Sequence, residues 1–414
     1  MRTRTDLFLL VVTLSLVGIG LVMTYSASGF LAAKSQKFNY DNLYFLKREV
    51  FRLLVGVVVF IFVWRFNYRI RKNWISPLFL FSIFLLLSVL LMGKSVRGAK
   101  SWLEMYSFCL FQPSELIRLT GLVFFAHLIA RKGEEIKNFR QGFLPLLFWL
   151  GVVICLIICQ PDWGTALAIS ITLYLLMFLG GVSLKKWLVV AMVGLGLLTF
   201  VSFRVPHLKN RWQGYWISLQ EARPKPKIIE NYPPGSPLFN TVSQTYQSLI
   251  GIGSGGWCGV GLGVSKQKYL FIPEPHTDFI FSIIAEETGL LGAGGILLLY
   301  LFFAWRGFSI AKQTGEPFER LVAYGVTINI FTYALINIGV AIGLFPITGL
   351  PLPFISYGGS SLVINLCLAG FLLNISRHVK ERPRLKLVQL QKTYASDSQC
   401  WWDGRTSLSR NSLG

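Results

Sequence analysis

The chain has 414 residues, of which 53% are hydrophobic and only 14% are charged, and its mean hydropathy is +0.55. Soluble proteins carry about 25% charged residues, so this composition excludes an ordinary soluble enzyme. The formal net charge of +21 would suit a nucleic-acid-binding protein, but the basic residues lie between long apolar blocks and in the C-terminal tail. That distribution is typical of the loops of a membrane protein, and we expect no nucleic-acid partner.

Ten apolar blocks approach the length of about 20 residues that crosses a bilayer. They predict an all-α polytopic membrane protein with ten transmembrane helices, at 6–30, 48–64, 75–92, 115–130, 142–160, 163–182, 186–203, 278–305, 321–343 and 358–376. An even number of spans places both termini on one side of the membrane. The basic residues are concentrated in the segments that would then be cytoplasmic, so we predict that both termini are cytoplasmic.

Two segments fall outside the pattern of spans. Residues 204–277 are rich in proline and glycine and predict a large extracytoplasmic loop within a membrane domain that covers 1–376. Residues 377–414 are basic and polar without an apolar face, which predicts a disordered cytoplasmic tail. The six cysteines show no metal-ligand spacing, and the sequence predicts no metal site.

Ionisable side chains inside or at the ends of spans are costly to bury and are therefore candidates for function. All of them lie toward the predicted outer face: Glu115, Arg118, Asp162, Asp278, Glu286 and Glu287. A proton-coupled transporter would place such groups near the middle of the membrane. Their position at one rim favours an enzyme that acts on an exported substrate.

Asp278 stands at the start of a predicted span and has two interpretations. Asp is among the preferred helix N-cap residues, so a purely structural role is one alternative. The other is a carboxylate at the lipid–water boundary that stays ionised and acts as a base. Further along the same span, Glu286 and Glu287 suit either a buried contact that fixes the helix or a direct part in catalysis.

The glycine-rich run 251–263 contains a G-x-G-x-x-G pattern, but no predicted strand precedes it, so we reject dinucleotide binding. Two alternatives remain for this run. It could be a flexible packing loop, or its backbone amides could form a nest for phosphate, with Lys266 and Lys268 nearby as point charges.

Seven segments, in order along nearly the whole chain, resemble the SEDS family of shape, elongation, division and sporulation proteins (FtsW, RodA and SpoVE). They are 111–115, 160–165, 246–253, 259–263, 273–281, 286–292 and 346–361. The last is the most specific and contains Ser356, Gly358, Gly359 and Ser360. The stretch 265–274 resembles the division and sporulation members more than the elongation members.

The resemblance implies a glycosyltransferase of the bacterial inner membrane that polymerises lipid II into peptidoglycan strands at the division septum and releases undecaprenyl diphosphate. It implies a class B penicillin-binding protein as the cross-linking partner, together with other division proteins and membrane lipids. The family's essential aspartate falls on Asp278, which would take the proton from the acceptor sugar's 4-hydroxyl. Supporting roles are then expected for Glu286, Glu287, Ser356, Gly358, Gly359 and Ser360.

A leaving diphosphate needs positive charge where its negative charge develops. The cations expected to bind the substrate are, from the strongest candidate to the weakest, Lys266, Lys268, Arg118, Lys100, Arg204 and Arg211. Glu115 and Asp162 are also expected to bind the substrate. Two positions depart from the family pattern, since Arg118 replaces a lysine and Ser101 an arginine. Lysine and arginine differ in donor geometry. A cation such as Mg²⁺ or Mn²⁺ could share the diphosphate charge, so the cofactor stays open.

Three alternatives to this function remain. A lipid II flippase would need a continuous polar path across the bilayer, whereas the inner halves of the predicted spans carry few charges. A scaffold of the division complex would tolerate replacement of Asp278. An elongation-type member of the same family would perform the same chemistry in another cellular process.

Overall fold

The computed structural model describes residues 5–65, 73–96, 99–105, 109–220, 236–269, 271–273 and 275–379. Its described residues form twelve α-helices: α1 Leu7–Lys34, α2 Tyr44–Arg65, α3 Ile75–Met92, α4 Pro113–Lys132, α5 Leu144–Ile158, α6 Trp163–Leu179, α7 Leu184–Arg204, α8 Pro206–Gln220, α9 Pro237–Ser254, α10 Ile280–Gln313, α11 Pro317–Ala341 and α12 Ser361–Ser376. The predicted tail lies outside the described residues from position 380 onward.

The ten predicted spans correspond to α1–α7 and α10–α12, and most of their ends agree within a few residues. Six of the described helices are long and apolar enough to cross a membrane by themselves, and α6 and α12 are shorter apolar helices. The prediction of a helical polytopic membrane protein is therefore confirmed. The largest difference is at α10, which continues to Gln313.

A small antiparallel sheet lies between α3 and α4 in this otherwise helical fold. Its strands are β1 Lys94–Val96, β2 Ala99–Met105 and β3 Cys109–Phe111, in the order β1-β2-β3. Strand pairing satisfies backbone groups in the described part of this connection. The pairing places Lys100 opposite Ser95, and the neighbouring Ser101 is buried.

The predicted long loop 204–277 contains the two helices α8 and α9, which pack against each other. The buried residues of α9 are Val242, Thr245, Ser248 and Gly251, each three positions after the last, so they line one face. Tyr215 of α8 donates a hydrogen bond of 2.8 Å to the carbonyl of Leu344. The loop is therefore folded onto the bundle where the structure describes it, and residues 221–235 lie outside that description.

The long helix α10 is interrupted at Gly289, whose φ is +67°. The loop 256–261 supplies the hydrogen bonds that the interruption removes from the helix. Its amides donate to the carbonyls of residues 286–287 at 3.0 and 3.1 Å, and its carbonyls accept from the amides of residues 290–291 at 2.9 and 3.1 Å. The helix break and the loop therefore depend on each other.

We expect Gly289→Ala to lower the melting temperature in detergent. A Cβ at this position would overlap the backbone of Trp257 and Gly259, and the left-handed conformation is itself strained for a non-glycine residue. Such strain costs about 1–3 kcal/mol. Gly295→Ala, in the same helix with open space around it, is the matched control and should melt near the parent. Equal melting temperatures for the two variants would contradict this account.

Candidate active site

Two segments that the sequence marked separately, 276–278 and 346–361, are joined by hydrogen bonds. The Ser356 hydroxyl donates to the carbonyl of Thr277 at 2.6 Å and accepts from the amide of Leu352 at 2.8 Å. The amide of Tyr357 donates to the carbonyl of His276 at 2.9 Å. Ser356 therefore fixes the backbone just before Asp278.

Asp278 lies one residue before the N-cap position of α10. The N-cap residue is Phe279, and the helix begins at Ile280, so the N-cap interpretation of Asp278 is wrong by one residue. The Asp278 carbonyl accepts a hydrogen bond of 2.9 Å from the amide side chain of Asn337, which also donates to the Leu350 carbonyl at 2.7 Å. This bridge holds the Asp278 backbone, and the residue remains half-buried.

Arg211 of α8 brings a positive charge to this region. Its guanidinium donates a hydrogen bond of 3.0 Å to the carbonyl of Ile347. Burial lowers the pKa of Arg211, and the carboxylates of Asp278 and Asp162 act in the opposite direction. Both carboxylates are therefore within electrostatic reach of this cation, although the sequence ranked Arg211 last among its candidates.

Asp162 connects two further motifs to the same region. One carboxylate oxygen accepts the Thr165 amide at 3.2 Å, so Asp162 caps α6, and the other accepts the Gln112 side-chain amide at 2.9 Å. The backbone amide of Gln112 donates to the Ser360 hydroxyl at 3.3 Å. A Cβ at Gly164 would overlap the Thr348 carbonyl, so the start of α6 lies directly against the segment 346–361.

Arg118 does not have the position expected of a phosphate ligand. Its side chain is fully buried and lies 2.8 Å from Glu115, its ion-pair partner. It also donates to Asn329 at 2.6 Å and to Asn365, and it stacks on the ring of Tyr333 at 3.8 Å. Three helices, α4, α11 and α12, thus converge on one guanidinium, and each of its three nitrogens already donates to a protein side chain. In this conformation Glu115 and Arg118 hold helices together rather than face a ligand.

We expect Arg118→Ala to reduce the yield of folded protein. Removing one partner of a buried ion pair leaves an uncompensated charge and costs about 3–5 kcal/mol. Arg118→Lys should fail as well, because an ammonium cannot reproduce the guanidinium's several contacts. The measurement is the monodisperse fraction in detergent. A folded but inactive Arg118→Ala protein would instead restore Arg118 as a substrate ligand.

Glu286 and Glu287 hold the segment 265–268. Glu286 accepts the backbone amides of Lys266 and Gln267 at 2.9 and 3.3 Å, and also the hydroxyl of Ser265. The Lys268 ammonium is buried and lies 2.9 Å from Glu287. This arrangement is the buried contact that was one of the two alternatives for the glutamates. It leaves Lys266 with an exposed side chain and makes Lys268 a structural cation.

The proposed phosphate nest in the run 251–263 is not supported. Residues 251–254 belong to α9, and the amides of Val260 and Gly261 are used by the carbonyls of the broken helix α10. Of the remaining candidates, Lys100 lies in β2 and Arg204 ends α7 with an exposed side chain. Gly358 and Gly359 lie between Tyr357 and the start of α12.

Sequence reasoning missed two residues that organise the site, Asn337 and Gln112. Asn337 is a buried amide near the end of a largely apolar span, and such a residue almost always has a hydrogen-bonding role. That signal was available in the sequence. Among the described residues, no group of three or more His, Cys, Asp and Glu side chains is placed to hold a metal ion.

Comparison with known proteins decides the family. Residues 6–381 match the family model of FtsW, RodA and SpoVE, described as cell cycle protein. The chain belongs to the FtsW/RodA/SpoVE family. The resemblance found in the sequence motifs is therefore confirmed over nearly the whole chain.

Curated members of this family are similar over almost their full lengths. Stage V sporulation protein E of Bacillus subtilis is 36% identical over 379 residues, which cover 91% of this chain and 98% of that protein. The probable peptidoglycan glycosyltransferase FtsW of Geobacter sulfurreducens is 36% identical over 382 residues, which cover 92% and 97%. The chain thus resembles sporulation and FtsW members equally by identity.

Solved structures of family members share the fold. The rod shape determining protein RodA of Thermus thermophilus matches with a TM-score of 0.64 at 25% identity and covers 91% of this chain. A chain from a peptidoglycan synthase complex, studied for its coordination of polymerization and crosslinking, matches with a TM-score of 0.71 at 25% identity over 91% of this chain and 99% of its own length.

Proposed function

We propose that this chain is a peptidoglycan glycosyltransferase that polymerises lipid II, with Asp278 as its general base. The enzyme class agrees with the name of the FtsW relatives. The observation that carries the proposal is the half-buried Asp278, whose backbone is held by Asn337 and which lies within electrostatic reach of Arg211. A fixed carboxylate beside a cation can accept a proton while the cation stabilises negative charge.

The chemistry needs one proton acceptor and one site for negative charge. Asp278 takes the proton of the acceptor sugar's 4-hydroxyl as that oxygen bonds to the anomeric carbon of the donor. The bond from the anomeric carbon to the diphosphate breaks, and its electron pair leaves with undecaprenyl diphosphate. Attack from the face opposite the leaving group inverts the anomeric centre. The aspartate carries only the proton, so no covalent intermediate with the protein is required.

Arg211 is the cation that we place nearest the leaving diphosphate. It is anchored to the Ile347 carbonyl and interacts with both Asp278 and Asp162. Lys266, Lys100 and Arg204 remain candidates for contacts with the rest of the substrate. Asp162 is assigned a positioning role, since its two oxygens already accept hydrogen bonds from Thr165 and Gln112.

The same proposal includes a location and partners. The chain would lie in the bacterial inner membrane at the division septum, with both termini in the cytoplasm and residues 204–277 outside. A class B penicillin-binding protein would cross-link the strands, and other division proteins would bind the same complex. A chain of similar fold in a complex that couples polymerization to crosslinking supports the penicillin-binding partner.

Orientation is tested by labelling single cysteines in a cysteine-free background. Gln213→Cys, at an exposed position on α8, should react with a membrane-impermeant maleimide in intact spheroplasts. Glu134→Cys, at an exposed position between α4 and α5, should react only after the membrane is permeabilised. The basic residues of the segments near Glu134 are the reason. The reverse pattern would place the candidate site on the wrong side of the membrane.

The activity is tested with purified lipid II and the purified chain, alone and with its transpeptidase partner, in detergent. Detergent micelles do not separate two aqueous compartments, so flippase activity cannot contribute to the result. We expect long glycan strands that depend on this chain when the transpeptidase's own cross-linking activity is blocked. Translocation of lipid II in vesicles without strand formation in detergent would favour the flippase, and neither activity would favour the scaffold.

A further inference from the structure

The loop 256–264 exposes apolar side chains although it lies outside every described helix. Trp257 is 72% exposed, Leu262 is 62% exposed and Val264 is 55% exposed. No residue of the run Gly256-Trp-Cys-Gly-Val-Gly-Leu-Gly-Val264 is charged. A surface made of aliphatic and tryptophan side chains without charges needs an apolar environment to cover it.

The lengths of α1 and α10 indicate the depth of this loop relative to the membrane. Asp6 and Arg306 form an ion pair that joins α1 and α10 at one level. From there, 20 residues along α1 lead to Ser26, which is about 30 Å at 1.5 Å per residue. Sixteen residues back along α10, about 24 Å, lead to Leu290, and Glu287 lies just beyond the interruption at Gly289. The hydroxyl of Ser26 donates to Glu287 at 2.7 Å, so both helices reach the same level.

The distance between these levels matches the hydrocarbon core of a bilayer, which is about 30 Å thick. The Ser26–Glu287 contact therefore lies near one boundary of that core. The loop's hydrogen bonds reach residues 290–291, which lie further along α10 toward Arg306. Residues 290–291 are nearer the membrane centre than Glu287. The loop attached to them therefore lies at the boundary of the hydrocarbon core or deeper in the membrane.

The side chains next to the loop on α10 face outward as well. Leu290 and Leu291 are exposed, and exposed leucines continue along the helix at 297, 298 and 301. These residues form the lipid-facing side of a membrane-spanning helix. The loop's exposed side chains are continuous with that side through the hydrogen bonds that Gly256 and Trp257 accept from Leu290 and Leu291.

Irregular backbone is tolerated at membrane depth only where its polar groups have partners. The loop meets this requirement at its deepest part, because four hydrogen bonds connect 256–261 to the interruption at Gly289. An intact helix would use those donors and acceptors itself and would leave the loop's own groups unsatisfied. The helix break thus has a reason that the candidate active site does not supply.

We propose that the loop 256–264 inserts into the adjacent leaflet of the bilayer and anchors the following segment 265–278 to the membrane surface. Tryptophan is enriched at membrane interfaces, and the uncharged leucine and valine side chains suit the region of the upper acyl chains. The anchored segment ends at Asp278, so the loop holds the candidate base at a fixed height above the lipid. The insertion itself is independent of the activity proposed above.

The experiment measures the depth of single labels in nanodiscs of phosphatidylglycerol and phosphatidylethanolamine. Leu262→Cys carries the environment-sensitive fluorophore NBD in a cysteine-free background, and Val264→Cys repeats the measurement. Asn42→Cys, at an exposed position in the connection between α1 and α2, is the water control, and Leu298→Cys is the control for the membrane interior. Nitroxide lipids labelled near the carbonyl or deep in the acyl chain act as quenchers.

We expect the label at 262 to be blue-shifted and to be quenched more by the shallow nitroxide than by the deep one. The label at 298 should show the opposite preference, and the label at 42 should show little quenching by either. Labels at 262 and 264 that behave like the one at 42 would overturn the proposal. Shielding that appears only after a purified protein partner is added would overturn it too, because the loop would then be a protein-binding surface.

Discussion

Asp278→Asn is expected to leave the protein folded and to lower lipid II polymerisation at least about 100-fold, since general-base assistance is typically worth about 10²–10⁴ in rate. An amide side chain cannot take the proton of the acceptor hydroxyl at neutral pH. The folded state should tolerate the change, because asparagine has nearly the same shape as aspartate and because the backbone carbonyl of Asp278 still accepts the hydrogen bond from Asn337. The measurement is the initial rate of glycan formation in detergent.

Two companion substitutions sharpen this test. Asp278→Ala should be as inactive as Asp278→Asn, because neither side chain can take the proton of the acceptor hydroxyl. Asp278→Glu keeps a carboxylate but moves it by one methylene, so it should retain more activity than the other two. If all three variants lost folded protein equally, the aspartate would be structural.

Arg211→Ala should produce the second-largest loss of activity in a folded protein. Removing one group that stabilises developing negative charge typically costs about 10²–10³ in turnover. Arg211→Lys should recover part of the rate, because it keeps the positive charge but loses the guanidinium's geometry at the Ile347 carbonyl. The measurement is the polymerisation rate at saturating lipid II.

The matched control is Lys209→Ala on the same helix. Lys209 is exposed and carries the same unit charge, so its removal changes the charge of α8 by the same amount as the removal of Arg211. We expect Lys209→Ala to polymerise near the parent rate. Equal losses for the two variants would mean that the net charge of α8 matters, and not the position of Arg211 beside Asp278.

The spans could be predicted because a bilayer imposes their length and composition on each segment separately. The interruption at Gly289 could not, because the hydrogen bonds that stabilise it come from residues about 30 positions earlier in the chain. The helices α8 and α9 were not predicted either, because the proline-rich composition of 204–277 is typical of a loop. The buried residues of α9 recur at a helical spacing, but the prolines and glycines around them favoured a loop.

The sequence identified residues of the candidate site better than it identified the role of each residue. Asp278 and Ser356 were identified through the family motifs, and the structure places them in one hydrogen-bonded region. The sequence could not rank the basic residues as substrate ligands, because residues distant in the chain decide which basic side chains are buried. Arg118 is enclosed by Asn329 and Asn365 from other helices, whereas Arg211 reaches the segment next to Asp278 from the long loop.

The most direct test of Asp278 as the base compares lipid II binding and polymerisation on the same purified complexes of the parent and of Asp278→Asn. Binding is measured at equilibrium, and strand formation is then followed from the bound state. The account predicts that binding is retained while strand formation falls at least about 100-fold. Strand formation within about tenfold of the parent rate would contradict it, as would a loss of activity fully explained by lost binding.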